Sequence, residues 1–216
     1  MGQKTYREAL NLIDSKDWKS NYYFFDNKEE MRLSIAEDYK VRNYLKSKYK
    51  GISKIYIERQ CDNRELTIII YSSRVGSIIG KKGAESASLT NSLEEMTYKK
   101  VSLDIIEVKN PDLQASIVAE SICEKLSRRG RFRKIMENAV ESTMKAGAHG
   151  IRIEISGRLN GADIARCVKE SRGAVPLSTF SKDIDIKKRA ANTTYGVLGV
   201  SVWINRGDRV KAAIKR

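Results

Sequence analysis

Val75-Gly76-Ser77-Ile78-Ile79-Gly80-Lys81-Lys82-Gly83 places a GxxG turn, Gly80 to Gly83, directly behind an apolar Ile-Ile pair and fills its two middle positions with lysine. Glycines at both ends remove the Cβ atoms that would hold a phosphate away, so backbone N–H groups at the start of the next helix reach phosphate oxygens. Lys81 and Lys82 supply the charge. A Walker A loop needs four residues between its glycines and a Ser or Thr after the lysine, whereas Gly76 and Gly80 enclose three and Lys82 follows Lys81. The dinucleotide GxGxxG is absent as well. The stretch fits a grip on a nucleic-acid backbone, with a solvated turn between helices as the plain alternative.

Its surroundings decide between the two. Residues 28–48 carry Met31, Ile35, Tyr39, Tyr44 and Leu45 among many charges and read as a helix that Gly51 ends. Ile55 and Ile57 alternate with Tyr56 and Glu58, Asp62-Asn63-Arg64 turns the chain, and a second strand runs from Glu65 to Tyr71. A short helix over 74–79 leads into the loop. Beyond it, Leu89, Leu93 and Met96 share one helix face, and Val101, Leu103 and Ile105 alternate on a third strand. Helix, strand, strand, short helix, GxxG, helix, strand resembles the type II KH module, in which the loop clamps the backbone of about four nucleotides beside an apolar surface. Ile78 and Ile79 are either that surface or core.

Composition agrees with a polyanionic partner: 41 Lys+Arg against 27 Asp+Glu give a formal charge of +14 over 216 residues. A 41% hydrophobic fraction suffices for packed cores, so the charge decorates folded structure. Cys61, Cys123 and Cys167 are odd in number and in no CxxC pattern. They read as small, partly buried residues in a reducing compartment rather than a disulfide or zinc framework. Apolar runs such as Ile68-Ile69-Ile70-Tyr71 are strand length, and no signal pattern opens the chain, so a soluble, non-exported protein is expected.

Asn110-Pro111-Asp112 breaks the chain and opens a new helix, which sets a domain boundary there. Ala115, Val118, Ile122 and Leu126 form one apolar stripe. Phe132, Ile135, Met136, Ala139, Val140 and Thr143 form another, ended by Gly147. Ile151 to Ile155 alternates strictly, Ile184 and Ile186 mark a short strand, and Val200, Val202 and Ile204 a last one. The fold class is therefore α+β: an N-terminal type II KH domain, then an α+β domain with two helices on a mostly antiparallel sheet. The expected division is 1–27 as an N-terminal segment, 28–109, 110–207 and a basic tail over 208–216.

Between the two C-terminal helices lie Lys125, Arg128, Arg129, Arg131, Arg133 and Lys134, with no acid among 126–134. Arg131 and Lys134 fall opposite Phe132, Ile135 and Ala139 on a helical wheel, and the first balancing acids, Glu137 and Glu141, come a turn later. RNA contact fits this run better than an ordinary solvated face. Arg206, Arg209, Lys211, Lys215 and Arg216 close the chain as either a phosphate-binding or a merely solubilising tail. Gly157 and Gly161 bracket Arg158 ahead of a helix expected from Ala162, which puts Arg166 one turn in and lets Arg158 and Arg166 share a phosphate track. His149 is the single histidine, without a nucleophile partner, and no zinc-protease motif, paired DxD or Cys/His cluster appears. No catalytic residue, metal or cofactor is nominated.

Four ordered segments now carry a family likeness: Gly76 to Gly83, Ser156-Gly157-Arg158-Leu159-Asn160-Gly161-Ala162-Asp163-Ile164-Ala165-Arg166, Val175-Pro176-Leu177-Ser178-Thr179 with Asp183-Ile184-Asp185, and Thr193-Thr194-Tyr195-Gly196-Val197-Leu198-Gly199-Val200. From about residue 38 to residue 207 the chain resembles the bacterial-type small-subunit ribosomal proteins of the S-three family. The resemblance implies a non-enzymatic protein of the ribosome, on the head of the small subunit. It would bind small-subunit rRNA, neighbour head proteins ten and fourteen, and line the channel where mRNA enters. It puts Ile79, Gly80, Lys81, Lys82 and Gly83 in the KH loop. Arg128, Arg129, Arg131, Arg133 and Lys134 face mRNA, and Arg158, Arg166, Arg206 and Arg209 face rRNA. Arg133 and Lys134 fall on two of the family's mRNA-unwinding positions, while the third is Glu137 here. The N-terminus departs after Met1 to Lys4, reading Thr5-Tyr6-Arg7-Glu8-Ala9-Leu10, and Trp18 with Tyr22 to Phe25 pack either on a neighbour or in the core. A cytoplasmic ribosome is implied, with an organellar one as the alternative. The rivals are a free-standing KH regulator of single-stranded RNA and, by analogy with eukaryotic cousins, a DNA-cleaving activity through a lysine imine.

Overall fold

A computed structural model describes residues 18–22, 28–59 and 65–208, with Lys82 described by its backbone only. Cys61, the turn at Asp62-Asn63-Arg64, the stretch Tyr23 to Phe25, the opening Met1 to Lys4 and the tail from Arg209 lie outside these residues. The chain forms two compact units that divide between Lys109 and Asn110.

The first unit holds β1 (Ser20–Asn21), α1 (Lys28–Lys48), β2 (Ile52–Arg59), β3 (Glu65–Ser72), α2 (Val75–Ile79), α3 (Ala84–Thr97) and β4 (Lys100–Glu107). Its strands lie in the order β1-β2-β3-β4. The hairpin is antiparallel, with Ile55 opposite Ile70 and Ile57 opposite Ile68. β4 returns parallel to β3, Leu103 opposite Ile68, a geometry that needs the α2–α3 crossover. Ile57, Ile68, Ile70, Ile78, Leu89 and Leu93 are all fully buried and form the core.

The helix expected over 28–48 is present, but a different face is buried. Met31, Ile35 and Tyr39 are exposed, whereas Ser34, Asp38, Val41 and Leu45 point inward. The reason is Arg59, which enters the interior from the end of β2 and needs anions. It donates to Asp38, to Glu37 at 3.0 Å and to the Ser34 carbonyl at 3.3 Å. Lys99 reaches Glu37 at 2.8 Å and the Ser20 hydroxyl donates to Asp38 at 2.7 Å. Burial alone would raise the Glu37 pKa, but hydrogen bonds from Lys99 and then Arg59 outweigh it and hold the group below its ordinary value. Met96 is likewise exposed, and Thr97 takes the buried place on α3.

The second unit opens with a 3₁₀ turn, Pro111–Leu113, so the proline begins that turn and the α-helix itself starts later. It continues with α4 (Ala115–Ser127), α5 (Phe132–Lys145), β5 (Gly150–Gly157), a 3₁₀ turn Leu159–Gly161, β6 (Arg166–Gly173), β7 (Lys182–Thr193) and β8 (Gly196–Asp208). The sheet is antiparallel throughout, in the order β6-β5-β8-β7. Ile151, Ile153, Ile155, Val200, Val202 and Ile204 present one buried face, on which both helices lie. Among the described residues no helix is long and apolar enough to cross a membrane.

Three sequence expectations are corrected here. No helix starts at Ala162; that residue is extended, and 166–173 is a strand pairing only with β5. An edge strand needs no strict alternation of apolar residues, and only Val168 and Glu170 of β6 turn partly inward, so Arg-Cys-Val-Lys-Glu-Ser-Arg lacks a strand signature. The strand around Ile184 is 12 residues long rather than short. Arg206 belongs to β8 rather than to a tail: it donates to the Leu113 carbonyl at 3.0 Å, to Gln114 at 2.8 Å and to Asp185. Asp185 in turn accepts the Ala115 N–H at 2.9 Å, placing a carboxylate at the start of α4.

Candidate nucleic-acid interface

The GxxG loop is held open by backbone geometry. Gly80 has φ +71 and ψ −173, and Gly83 has φ +79 and ψ 8; both lie where glycine alone is comfortable. A Cβ on Gly80 would come 2.6 Å from Cγ and 2.8 Å from Cβ of Glu85. Gly80 ends α2 by donating to the Gly76 carbonyl at 3.0 Å, and Gly83 starts α3 with no side-chain cap. Lys81 is exposed. The Ile pair splits: Ile78 is core, while Ile79 is 39% exposed beside the loop.

The basic hinge is a tight helix-to-helix turn. Arg129 N–H donates to Leu126 at 2.9 Å and Gly130 N–H to Lys125 at 3.0 Å, closing α4 with Arg129 in the left-handed region at φ 60. A Cβ on Gly130 would meet Ile135 Cδ1 at 2.7 Å and the Lys125 carbonyl at 2.9 Å. The two helices can therefore close only with glycine between them, and Arg128, Arg129, Arg131, Arg133 and Lys134 all turn to solvent. Lys125, Arg128 and Arg129 suit the negative end of α4. Arg131, Arg133 and Lys134 do not suit the positive end of α5, whose first turn has no acid and no side-chain cap. None of the five arginine and lysine side chains at 128–134 enters an ion pair among the described residues; Arg133 lies over the Phe132 ring at 5.9 Å.

A cleft of about 590 Å³ opens at this point. Arg131, Phe132, Arg133, Lys134, Glu137 and Asn138 of α5 form one wall; Leu159, Asn160, Arg166 and Val168 form the other. Four cations thus face one carboxylate. Nearby, Glu170 has a raised pKa, first from burial and then from the Glu137 charge, partly offset by Arg172. Arg166 joins the hinge because Arg166 and Val168 lie opposite Gly157 and Ile155, on the sheet face that carries α5. Arg158 does not join it: its guanidinium donates to the Ala162 carbonyl at 3.0 Å, the Tyr195 carbonyl at 3.3 Å and Asp163 at 3.1 Å. Asn138 in one wall had no sequence signal, and Asn160 in the other was read only as part of the family-like segment Ser156 to Arg166. Of the cysteines, Cys123 is buried as expected, but Cys167 is exposed on β6. Among the described residues no group of His, Cys, Asp and Glu is placed to hold a metal.

Fold and charge together define a KH-type nucleic-acid-binding protein. Family profiles agree, with "KH domain" matching residues 40–113 and "Ribosomal protein S3, C-terminal domain" matching 122–204. Over 210 residues, 96% of this chain, it is 45% identical to small ribosomal subunit protein uS3 of Caldanaerobacter subterraneus, of which 93% is covered. It is 43% identical to that of Desulforudis audaxviator, with 94% covered, and 44% identical to that of Verminephrobacter eiseniae, with 70% covered. The chain belongs to the uS3 family of small ribosomal subunit proteins. It is a structural component of that subunit and not an enzyme.

Proposed function

We propose that this protein binds small-subunit rRNA in the head of the subunit and lines the channel where mRNA enters. The α5 cleft would face the incoming strand. The observation that carries this is the start of α5: three cations stand against the helix dipole, without an ion pair among the described residues, at the mouth of a cleft that Arg166 completes. A local electrostatic rule is broken where an anionic ligand would repair it. Arg128, Arg129, Arg131, Arg133 and Lys134 hold mRNA phosphates electrostatically, and Glu137 in the cleft wall and Glu170 beside it weaken the grip. Residues 28–109 act as the KH domain, with Ile79, Gly80, Lys81, Lys82 and Gly83 as its RNA-contacting loop, and 110–207 as the domain at the mRNA channel. Arg166, and Arg209 in the basic tail over 208–216, face rRNA. Arg158 and Arg206 face rRNA as well, while also holding the loops on which that surface depends. Head proteins ten and fourteen are the neighbours, in a cytoplasmic ribosome.

The ribosomal reading is tested by quantifying the protein across a high-salt sucrose gradient of native lysate. Equimolar migration with other small-subunit proteins is expected, and a peak among free proteins or light RNA complexes would favour a free-standing regulator. The cleft is tested in reconstituted subunits. Arg133→Ala with Lys134→Ala should slow translation through an mRNA hairpin more than through unstructured mRNA, and Glu137→Arg should do the opposite. Equal slowing on both messages would remove the cleft from mRNA handling.

A further inference from the structure

We infer that a second basic cleft, in the first unit beside the GxxG loop and facing the end of α1, binds a phosphodiester of the RNA backbone. The inference rests on the reading of that loop as an RNA grip. The cleft is about 560 Å³ and is made by Lys48 at the end of α1, Tyr49 and Lys50 after it, Arg74 and Ser77 at α2, and Glu85 and Ser88 of α3. Gly51 brings these elements together. With φ +78 it reverses the chain after α1, and its carbonyl accepts the Ser73 N–H at 3.0 Å and the Ser72 and Ser73 hydroxyls at 3.3 Å. A Cβ there would lie 2.7 Å from Ser73 Oγ and 3.7 Å from Arg74 Cγ. Lys50 and Arg74, far apart in sequence, are thereby fixed side by side.

Three cations meet one carboxylate. The Arg74 guanidinium has no ion pair or hydrogen bond among the described residues, which leaves its planar fork available to phosphate oxygens. Lys48 donates to the Tyr44 hydroxyl at 3.2 Å and lies over the Tyr49 ring at 5.6 Å. Glu85 stands in the first turn of α3, where the helix dipole favours it. Tyr49 supplies the independent sign of a ligand: the residue is 7% exposed, yet its buried hydroxyl makes no hydrogen bond of normal geometry among the described residues. A buried phenol that lines a cationic cleft lacks an acceptor, and a phosphate oxygen is one. An RNA strand is favoured over an acidic protein segment by position. Glu85, in the cleft wall, is also the residue packed on Gly80, so a strand leaving the GxxG loop meets this cleft next.

The test uses full-length protein and a fluorescein-labelled single-stranded oligouridylate, with affinity measured by anisotropy over a salt series. Lys50→Ala with Arg74→Ala should lower the slope of log K against log salt by about 1.4, at about 0.7 per lost phosphate contact; Lys50→Arg with Arg74→Lys should keep it. Tyr49→Phe should weaken RNA binding several-fold and at the same time raise the thermal midpoint, because it removes a hydroxyl whose proton finds an acceptor only in the ligand. A structural defect would lower both. The comparison variant is Lys81→Ala with Lys82→Ala. If that variant loses slope while the Lys50/Arg74 and Tyr49 variants behave as wild type, the cleft is overturned and the loop reading stands. If the loop variant is unchanged but the cleft variants lose binding, the loop reading fails and the cleft stands as a separate RNA site. Protection of Lys50 from acetylation by oligoglutamate but not by oligouridylate would overturn the proposal in favour of an acidic protein partner.

Discussion

Alanine substitution at three neighbouring glycines should give three different outcomes, ordered by backbone geometry. Gly76 lies inside α2 with an ordinary φ, and a Cβ there meets nothing within 4 Å. Gly76→Ala should stabilise by about 0.5–1 kcal/mol, the helix-interior difference between the two residues. Gly83 is left-handed, but its Cβ would approach nothing closer than Ser86 Oγ at 3.7 Å, so Gly83→Ala should cost only the conformational term, about 1–2 kcal/mol. Gly80 combines both penalties. Its φ +71 with ψ −173 is a region open essentially to glycine, at about 1–3 kcal/mol for another residue. The new Cβ would also collide with the stem of Glu85 rather than its flexible end, so the first turn of α3 must shift, at about 1–3 kcal/mol more. Gly80→Ala should therefore cost about 2–6 kcal/mol in all. Hydrogen exchange of β3 amides over a urea series reads the stability of the unit that carries the loop. A Gly80→Ala loss no larger than that of Gly83→Ala, or a destabilising Gly76→Ala, would refute this account of the loop.

Other outcomes follow from buried charge and from the α5 cleft. Arg59→Met leaves the Glu37 and Asp38 carboxylates without their shared cation in the interior and should cost about 3–5 kcal/mol at neutral pH by urea unfolding. Because the folded Glu37 pKa is depressed, its contribution is present above 4.5 and disappears as pH falls through the lower folded value. Wild type and variant should converge in acid, and a gap that stays constant would count against the network. Glu170 has the opposite sign: its folded pKa is raised, so it takes up a proton above 4.5 as pH falls. RNA binding at the α5 cleft should tighten over that interval, and Glu170→Gln should flatten the response in an anisotropy titration. Burial raises the Cys123 pKa to about 11, leaving a thiolate fraction of about 10⁻⁴ at neutral pH. Peptide-level maleimide mapping should therefore find Cys167 modified long before Cys123, and the reverse order would mean that α4 opens readily.

Where burial was strong, the sequence was a good guide. The Ile55/Ile57 alternation and the strand-length apolar run Ile68 to Tyr71 foretold a hairpin whose inward side chains became the first core, and Ala115, Val118, Ile122 and Leu126 all face the second. The loop glycines and hinge arginines were legible because each breaks a local preference for a stated reason. Elsewhere the deciding partner was distant in sequence. The inward face of α1 is set by Arg59, so Ser34 and Asp38 displace the apolar Met31 and Ile35. β6 owes its existence to pairing with β5 alone. Arg206 looked like tail charge because Asp185, Gln114 and Leu113 come near it only after folding. For the same reason Arg166 reached the α5 cleft from an edge strand and not from a helix.

Among the described residues β6 and β7 are the two rim strands of the second sheet, and a rim strand invites another chain to add to it. Arg166, Lys169 and Arg172 populate one rim, and Lys182, Lys187, Lys188 and Arg189 the other. Two copies approaching rim to rim would bring like charges together at the spacing of paired strands. Of the cations assigned above to RNA, Arg166 thus has a second use: with its neighbours on the rim it disfavours the addition of a strand from another copy.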